Sequence, residues 1–334
     1  MKKTIVLDAM GSDTRPFPEV EAAVTASKEF GINVILVGDE NQLTTELKKL
    51  GQDLEGVRVV HAPEWLEMSD HIQEARAKKQ NTMVVGMQLV KDGEAQAFVT
   101  AGNTGMAMYF ASKIFGLIPG LIRPCLGSTI PVKGGKSVLL DIGANADCRP
   151  EFLVQFAQMG AVYARLMHGV TEPRIGLIAN GEEEGKGNEL VKATHPLLKE
   201  HLPGFVGNIE GKELFGGSVD VAVTDGFTGN VILKSTEAVA SLIMSTLKEE
   251  LMSSTRTKAG AFLAKPAFDK VRQLMDPAEI GSAPLLGVDE LAFVGHGRSD
   301  AKAMVSALAR AVQAIDAGLL PGLKNSILKN GESK

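Results

Sequence analysis

Cysteine is scarce in this 334-residue sequence: Cys125 and Cys148 stand alone, with no Cys-x-x-Cys unit and no spacing that implies a disulfide framework. Both read as small buried side chains in a reducing compartment. Aromatic residues make up 5%, so the core has to come mainly from Val, Ile, Leu, Ala and Met. No uncharged apolar stretch reaches 18 residues, which leaves no spanning helix to expect. The first apolar run is cut short by Asp8 and reads as a strand rather than a signal peptide. A basic excess is missing too: the formal net charge is −5, against the usual balance of a nucleic-acid binder.

Several chemical signatures are absent. No Gly-x-Gly-x-x-Gly follows the first strand and no phosphate-binding P-loop occurs, so NAD- or ATP-dependent chemistry is the weaker choice. His61, His71, His168, His195, His201 and His296 have neither zinc spacing nor a His-Glu-x-x-His pair. Without a Gly-x-Ser-x-Gly elbow, a covalent serine hydrolase is disfavoured.

What is present is an ordinary globular balance, 44% hydrophobic and 22% charged. Short β-rich runs cover residues 4–8, 33–37, 57–60, 96–100, 137–141, 174–179, 219–224 and 291–294. Helical patterns cover 19–30, 41–50, 104–115, 151–168, 188–201, 230–252 and 301–317. This alternation predicts crossover units and a largely parallel sheet. A Gly-Gly turn between apolar runs predicts a β-hairpin around residues 132–137. Residues 1–320 read as one α/β domain with two closely joined subdomains, and residues 321–334 as a polar, fraying tail.

Four polar turns follow strands: Asp8-Ala9-Met10-Gly11-Ser12-Asp13, Ala101-Gly102-Asn103-Thr104-Gly105, Asp141-Ile142-Gly143-Ala144-Asn145 and Asp225-Gly226-Phe227-Thr228-Gly229-Asn230. Ligands of parallel sheets bind beyond the carboxyl ends of strands, where glycine admits close approach and helix starts favour anions. The recurrence of such turns predicts that they converge on one cleft. A fifth segment, from Asn180 to Glu189, carries Lys186 among Glu182, Glu183 and Glu184. Lys186 either meets a phosphate or oxyanion, as a flexible point charge, or is held back by those acids. Asp8, Asp141 and Asp225 end strands without a diagnostic metal spacing, and no metal is expected. His296, in Gly295-His296-Gly297, lies between a strand and a helix.

Residues 251–275 form a basic segment in which Arg256, Lys258, Lys265, Lys270 and Arg272 face one acid, Asp269. Met252, Phe262 and Leu263 fall on one helical face, and Pro266 predicts a break into a helical hairpin. A packed helix pair, a partner-subunit contact, a carrier-protein contact and an anionic membrane interface all fit this pattern.

Together these segments resemble the bacterial phosphate acyltransferases. The likeness rests on the turns above, on Arg123-Pro124, Asn180-Gly181-Glu182-Glu183 with Lys186-Gly187, Ala283-Pro284-Leu285-Leu286-Gly287, and Gly295-His296-Gly297 with Ser299. Ser12 stands where a second glycine is frequent in that family. The resemblance implies a three-layer α/β/α fold like those of phosphotransacetylase and isocitrate dehydrogenase, with no redox cofactor. It implies transfer of a long-chain acyl group from acyl carrier protein to inorganic phosphate, yielding acyl phosphate for phosphatidic acid synthesis. A homodimer is implied, as is a cytoplasmic enzyme in transient peripheral contact with the inner face of the cell membrane, supplying a glycerol-phosphate acyltransferase downstream. Lys186, Asp225, Asn230 and His296 are then the expected catalytic groups. Asp8, Gly11, Asn103, Thr104, Gly105, Asp141, Asn145, Asn180 and Gly229 are the expected substrate contacts. Arg256, Lys258, Phe262, Leu263 and Lys265 are the expected membrane or partner contacts. An NAD(P)- and metal-dependent decarboxylating dehydrogenase of related fold, or a non-enzymatic scaffold of lipid synthesis, are the alternatives.

Overall fold

A strand buried on both faces needs a helical layer on each side, and the first strand, β1 (Thr4–Asp8), meets that demand. The computed structural model describes residues 2–51, 55–275 and 282–331. Ile5 and Leu7 pack into the same cluster as Val20, Ala23 and Met304, while Val6 between them packs with Met83, Met87 and Phe110. The two clusters are the two interfaces of an α/β/α sandwich.

After β1 come α1 (Phe17–Phe30), β2 (Asn33–Gly38), α2 (Glu40–Lys49), β3 (Val57–His61), α3 (Ile72–Ala77), α4 (Thr82–Lys91), β4 (Ala97–Thr100) and α5 (Thr104–Ile114). Then follow β5 (Cys125–Val132), β6 (Gly135–Leu140), α6 (Pro150–His168), β7 (Ile175–Ile178), α7 (Glu189–His201), β8 (Phe205–Ile209), α8 (Gly211–Gly216) and β9 (Val221–Val223). The last elements are α9 (Gly226–Leu251), α10 (Thr255–Met275), β10 (Ala283–Leu286), β11 (Leu291–Val294), α11 (Ala301–Asp316) and α12 (Leu319–Gly331).

All eleven strands join one sheet in the order β3-β2-β1-β4-β11-β10-β5-β6-β9-β7-β8. β3, β2, β1, β4 and β11 are mutually parallel, and so are β6, β9, β7 and β8. Between the two sets the direction turns over three times, because β10 is antiparallel to β11, β5 to β10 and β6 to β5. Three reversals leave the two parallel sets running in opposite directions. Their carboxyl ends therefore open at opposite edges of the sheet. β10 forms the seam: Ala283 and Pro284 pair with β11, and Leu285 and Leu286 pair with β5.

The expected hairpin is β5–β6, closed at Val132↔Gly135, with Gly134 at φ 84° in its turn. Other expectations need correction. α9 begins at Gly226, so Gly229 and Asn230 belong to a helical first turn, not to a loop. Pro266 lies inside α10, and the helical break comes earlier, between Leu251 and Thr255. The supposed polar tail is mostly α12, whose Leu319, Leu323 and Ile327 are buried at helical spacing against the sandwich. No single helix among the described residues is long and apolar enough to cross a membrane.

α6 sets the geometry behind the second half of the sheet because it comes very close to the strands. A Cβ at Gly160 would strike Leu140 Cδ1 and would lie 2.6 Å from Val221 Cγ1. Gly160→Val therefore has to push α6 off β6 and β9. We expect a loss of about 1–3 kcal/mol, read as a lower denaturation midpoint with an unchanged slope in urea.

Candidate active site

The carboxyl ends of β1, β4 and β11 build a first constellation. Asp8 is buried, and its Oδ1 accepts from Met10 N at 3.1 Å while Oδ2 accepts from Thr100 Oγ1 at 2.7 Å. Thr100 Oγ1 in turn accepts from Gly102 N at 2.9 Å. A Cβ at Gly11 would come within 2.8 Å of Gly102 N, so only glycine lets the first and fourth strand loops touch. Gly297 O accepts from Asp13 N at 2.8 Å, which adds the loop of His296. Asn103 caps α5 by accepting from Met106 N, and its amide donates to Met68 O. Thr104 and Gly105 open that helix. His296 is exposed, and its Nδ1 accepts from Arg298 N at 3.2 Å.

Behind this constellation Glu19, with no exposed surface, accepts from Ser12 N at 3.1 Å. Burial raises its carboxyl to about 7, opposed by the hydrogen bonds from Ser12. Burial likewise pushes Asp8 up, against the donors on its two oxygens.

The second constellation stands at the other edge, where β6, β9 and β7 lie side by side. Its centre is Asp141, whose carboxylate has no exposed surface. Oδ1 accepts from the backbone N–H of Leu126 (3.0 Å), Gly143 (3.3 Å) and Ala144 (3.1 Å). Oδ2 accepts from Asn145 N (2.7 Å) and Asn145 Nδ2 (2.9 Å). Asn145 Nδ2 also donates to Pro124 O at 2.8 Å, so its amide donors are spent on holding the loop. Asn145 O accepts from Gly226 N at 2.8 Å, tying the loop to the start of α9. A Cβ at Gly229 would overlap the carbonyl oxygen of Asp141, and one at Gly226 would lie 2.6 Å from Asn145 O. Glycine at both positions lets the helix end approach the loop.

Asp225 caps α9: Oδ1 accepts from Thr228 N and Oδ2 from Thr228 Oγ1, each at 2.8 Å. Asn230, one turn in, is exposed, and its side chain lies over Gly143, whose φ is 139°. Beside them, after β7, Asn180 Oδ1 accepts from Gly187 N at 2.8 Å and closes the loop that carries Lys186. Lys186 is exposed; of the neighbouring acids Glu182 pairs with Lys212 and Glu184 with Lys199, while Glu183 Oε2 and the Lys186 Cγ and Cδ both crowd Gly181. Among the described residues no ion pair involves Lys186, so its charge is available to a ligand. Glu182, Glu210 and Glu213 come close enough together to hold a cation, but the Lys212 ammonium already lies 3.7 Å from Glu182 and 3.1 Å from Glu213.

The expected single cleft is thus two constellations, and no hydrogen bond among the described residues joins them. Asp8, Gly11, Asn103, Thr104, Gly105 and His296 fall in the first. Asp141, Asn145, Asn180, Lys186, Asp225, Gly229 and Asn230 fall in the second. Glu19, Asn208 and Cys148 were not singled out by their sequence context. Asn208 donates to Glu183 O at 2.9 Å and braces the Lys186 loop from β8. The Cys148 thiol is pushed up to about 12 by burial and then by the negative charges of Asp141, Asp225 and Asp147. Burial first, then the charges of Asp141 and Cys148, also push the Cys125 thiol well above its usual value, so neither cysteine offers a thiolate nucleophile at neutral pH.

The family described as fatty acid synthesis protein matches residues 3–320. A phosphate acyltransferase from Elusimicrobium minutum is 45% identical over 98% of this chain and 97% of its own length. The chain belongs to the phosphate acyltransferase family. A second member, from Pelotomaculum thermopropionicum, is 47% identical over 97% of this chain and 94% of its own length. A phosphotransacetylase from Streptococcus pyogenes superposes with a TM-score of 0.62 at 17% identity, covering 94% of each chain. At that identity the likeness shows the fold alone, and it meets the expectation of a phosphotransacetylase-like sandwich. Family membership makes the chain an acyltransferase that uses phosphate, which sets aside the dehydrogenase and scaffold alternatives.

Two outcomes follow from the buried acids and glycines. Glu19 has a folded value near 7 against 4.5 when free, so the folded state holds a proton that the unfolded chain has lost between those values. That contribution is complete below pH 4.5 and disappears as pH rises through 7, amounting to about 3 kcal/mol. Glu19→Gln should therefore flatten the decline of the melting temperature between pH 5 and pH 8. Gly229→Ala should lower stability by about 2–4 kcal/mol and cut turnover at least tenfold, because α9 has to retreat from Asp141.

Proposed function

We propose that this acyltransferase moves a long-chain fatty acyl group from the thioester of acyl carrier protein to inorganic phosphate. The products are acyl phosphate and free carrier protein, and the acyl phosphate feeds phosphatidic acid synthesis. The observation that carries this reading is the second constellation: an unpaired lysine, an exposed asparagine and a helix start, side by side on neighbouring strand ends. These are fixed donors for an anion and for the charge that develops on a carbonyl oxygen.

In this reading a phosphate oxygen attacks the thioester carbonyl carbon directly. The new C–O bond forms, the C–S bond breaks, and the proton carried by hydrogen phosphate ends on the departing sulfur. Lys186 holds phosphate or the tetrahedral oxyanion by charge, and Asn230 and Asn180 supply neutral hydrogen bonds. Asp225 orients α9, and Asp141 and Asn145 shape the opposing loop. Asp8, Gly11, Asn103, Thr104, Gly105 and His296 lie at the opposite edge of the sheet and take no part in the chemical step within one protomer. The two raised thiols support direct attack over an acyl-enzyme on cysteine.

The α9–α10 hairpin supports two further parts of the proposal. Along α9, Val231, Val239, Leu242 and Ile243 are exposed, a face suited to a second copy in a homodimer. On α10, Phe262 and Leu263 are 78% and 81% exposed near Arg256, Lys258 and Lys265, of which Lys265 alone is paired among the described residues, to Asp269. Two large apolar side chains within a basic patch suit the surface of an anionic membrane. Delivery there would pass the acyl phosphate to a glycerol-phosphate acyltransferase.

The deciding assay incubates purified protein with acyl carrier thioester, with and without phosphate, and measures acyl phosphate. Product should appear only with phosphate. Lys186→Ala should lower kcat/KM for phosphate by about 10²–10³-fold; unchanged turnover at limiting phosphate and limiting thioester would remove its role. Replacing Phe262 and Leu263 with serine should weaken sedimentation with anionic liposomes several-fold while assembly and melting stay unchanged; undiminished sedimentation would reject the contact.

A further inference from the structure

The loop from Asn180 to Asn188 folds back on the helix that follows it. Asn188 caps α7 by accepting from Val191 N at 2.9 Å, which fixes the outgoing end. Glu184, in the middle of the loop, reaches forward to the same helix, with Oε1 3.6 Å from His195 Nδ1 and Oε2 3.4 Å from Lys199 Nζ. The two contacts differ in kind. Lys199 is two-thirds exposed, and a surface pair of that sort holds little. The His195 side chain is only 7% exposed, edge-on to Phe205 at 5.1 Å between ring centres. Its Nδ1 is buried with no hydrogen-bond partner, so Glu184 is the polar group within its reach. A buried imidazole nitrogen without a partner is costly, so a further approach of Glu184, now 3.6 Å away, is favoured.

We propose that His195 is a positioning residue: through Glu184 it holds the loop that carries Lys186, two residues on, in the conformation that offers this lysine to phosphate. The clamp has a second effect. Together with Lys199 it keeps the carboxylate of Glu184 on α7, so that Glu183, which crowds Gly181 with Lys186, is the acid nearest that lysine. The proposal rests on Lys186 acting on phosphate or the oxyanion.

The test is a set of double-mutant cycles in the phosphate-dependent assay. His195→Phe keeps a ring against Phe205 and removes the nitrogen; Glu184→Gln, at an exposed position, alters the other partner without disturbing the core. Each should raise KM for phosphate about three- to tenfold and leave KM for the acyl carrier thioester unchanged. In a Lys186→Ala background neither change should cost anything further. Equal losses with and without Lys186 would make the pair merely structural and overturn the proposal. So would a wild-type phosphate dependence in Glu184→Gln, which decides the matter if His195→Phe fails to fold. Full activity of Lys186→Ala would bring down both this inference and the assigned role of Lys186. An impaired Lys186→Ala beside indifferent His195 and Glu184 variants would bring down the inference alone.

Discussion

The buried carboxylate of Asp141 is the interaction on which the second half of the molecule depends. A carboxylate moved out of water loses several kcal/mol unless donors replace its hydration. Here one backbone turn, one amide of the neighbouring strand β5 and one side chain bring five donors to two oxygens. Burial still outweighs them and pushes the group above its usual range. Such a residue is poorly placed to exchange protons with substrate. It serves instead to hold β5, the 141–145 loop and, through Asn145 O, the first turn of α9 in one arrangement. Asn230, proposed to meet the ligand, is thus carried on a helix start whose loop contacts are already made.

Preorganisation of this kind suits phosphate-dependent acyl transfer. The reaction needs no redox partner, only an anion held near a carbonyl and donors waiting where charge will appear. The fold supplies both from backbone geometry: glycines where loop and helix touch, caps where helices begin. An exposed lysine with no ion pair among the described residues, two of whose neighbouring glutamates are turned toward Lys212 and Lys199, completes the set.

Much of this was legible in the residues. Apolar runs ending in Asp or Gly marked the strand ends, and Val132 to Ser137 announced the hairpin. The polar turns marked the loops that the structure gathers at the two sheet edges. Their grouping was not legible, because it depends on three changes of strand direction made by β10 and β5. β10 itself was hidden by Pro284, which argues against a strand, and β8 by Gly207 at φ 111°. Gly226 and Gly229 made the first turn of α9 look like loop, since glycine lowers helix propensity even where contact with Asp141 demands it. Pro266 suggested a break that α10 does not make. α12 was lost among its polar residues, although Leu319, Leu323 and Ile327 repeat every four positions. His195 carried no local signal, since its partner lies in another element's loop.

The seam at β10 bears on how the molecule comes apart. Each half of the sheet has long ladders of its own, six residue pairs between β5 and β6 and five between β1 and β2. Across the seam only two pairs face each side. Two well-knit plates sewn together by so short a stitch share one core yet have a line of least resistance between them. Hydrogen exchange at the amides of β10 should report that line, opening at a lower free energy than the strands to either side.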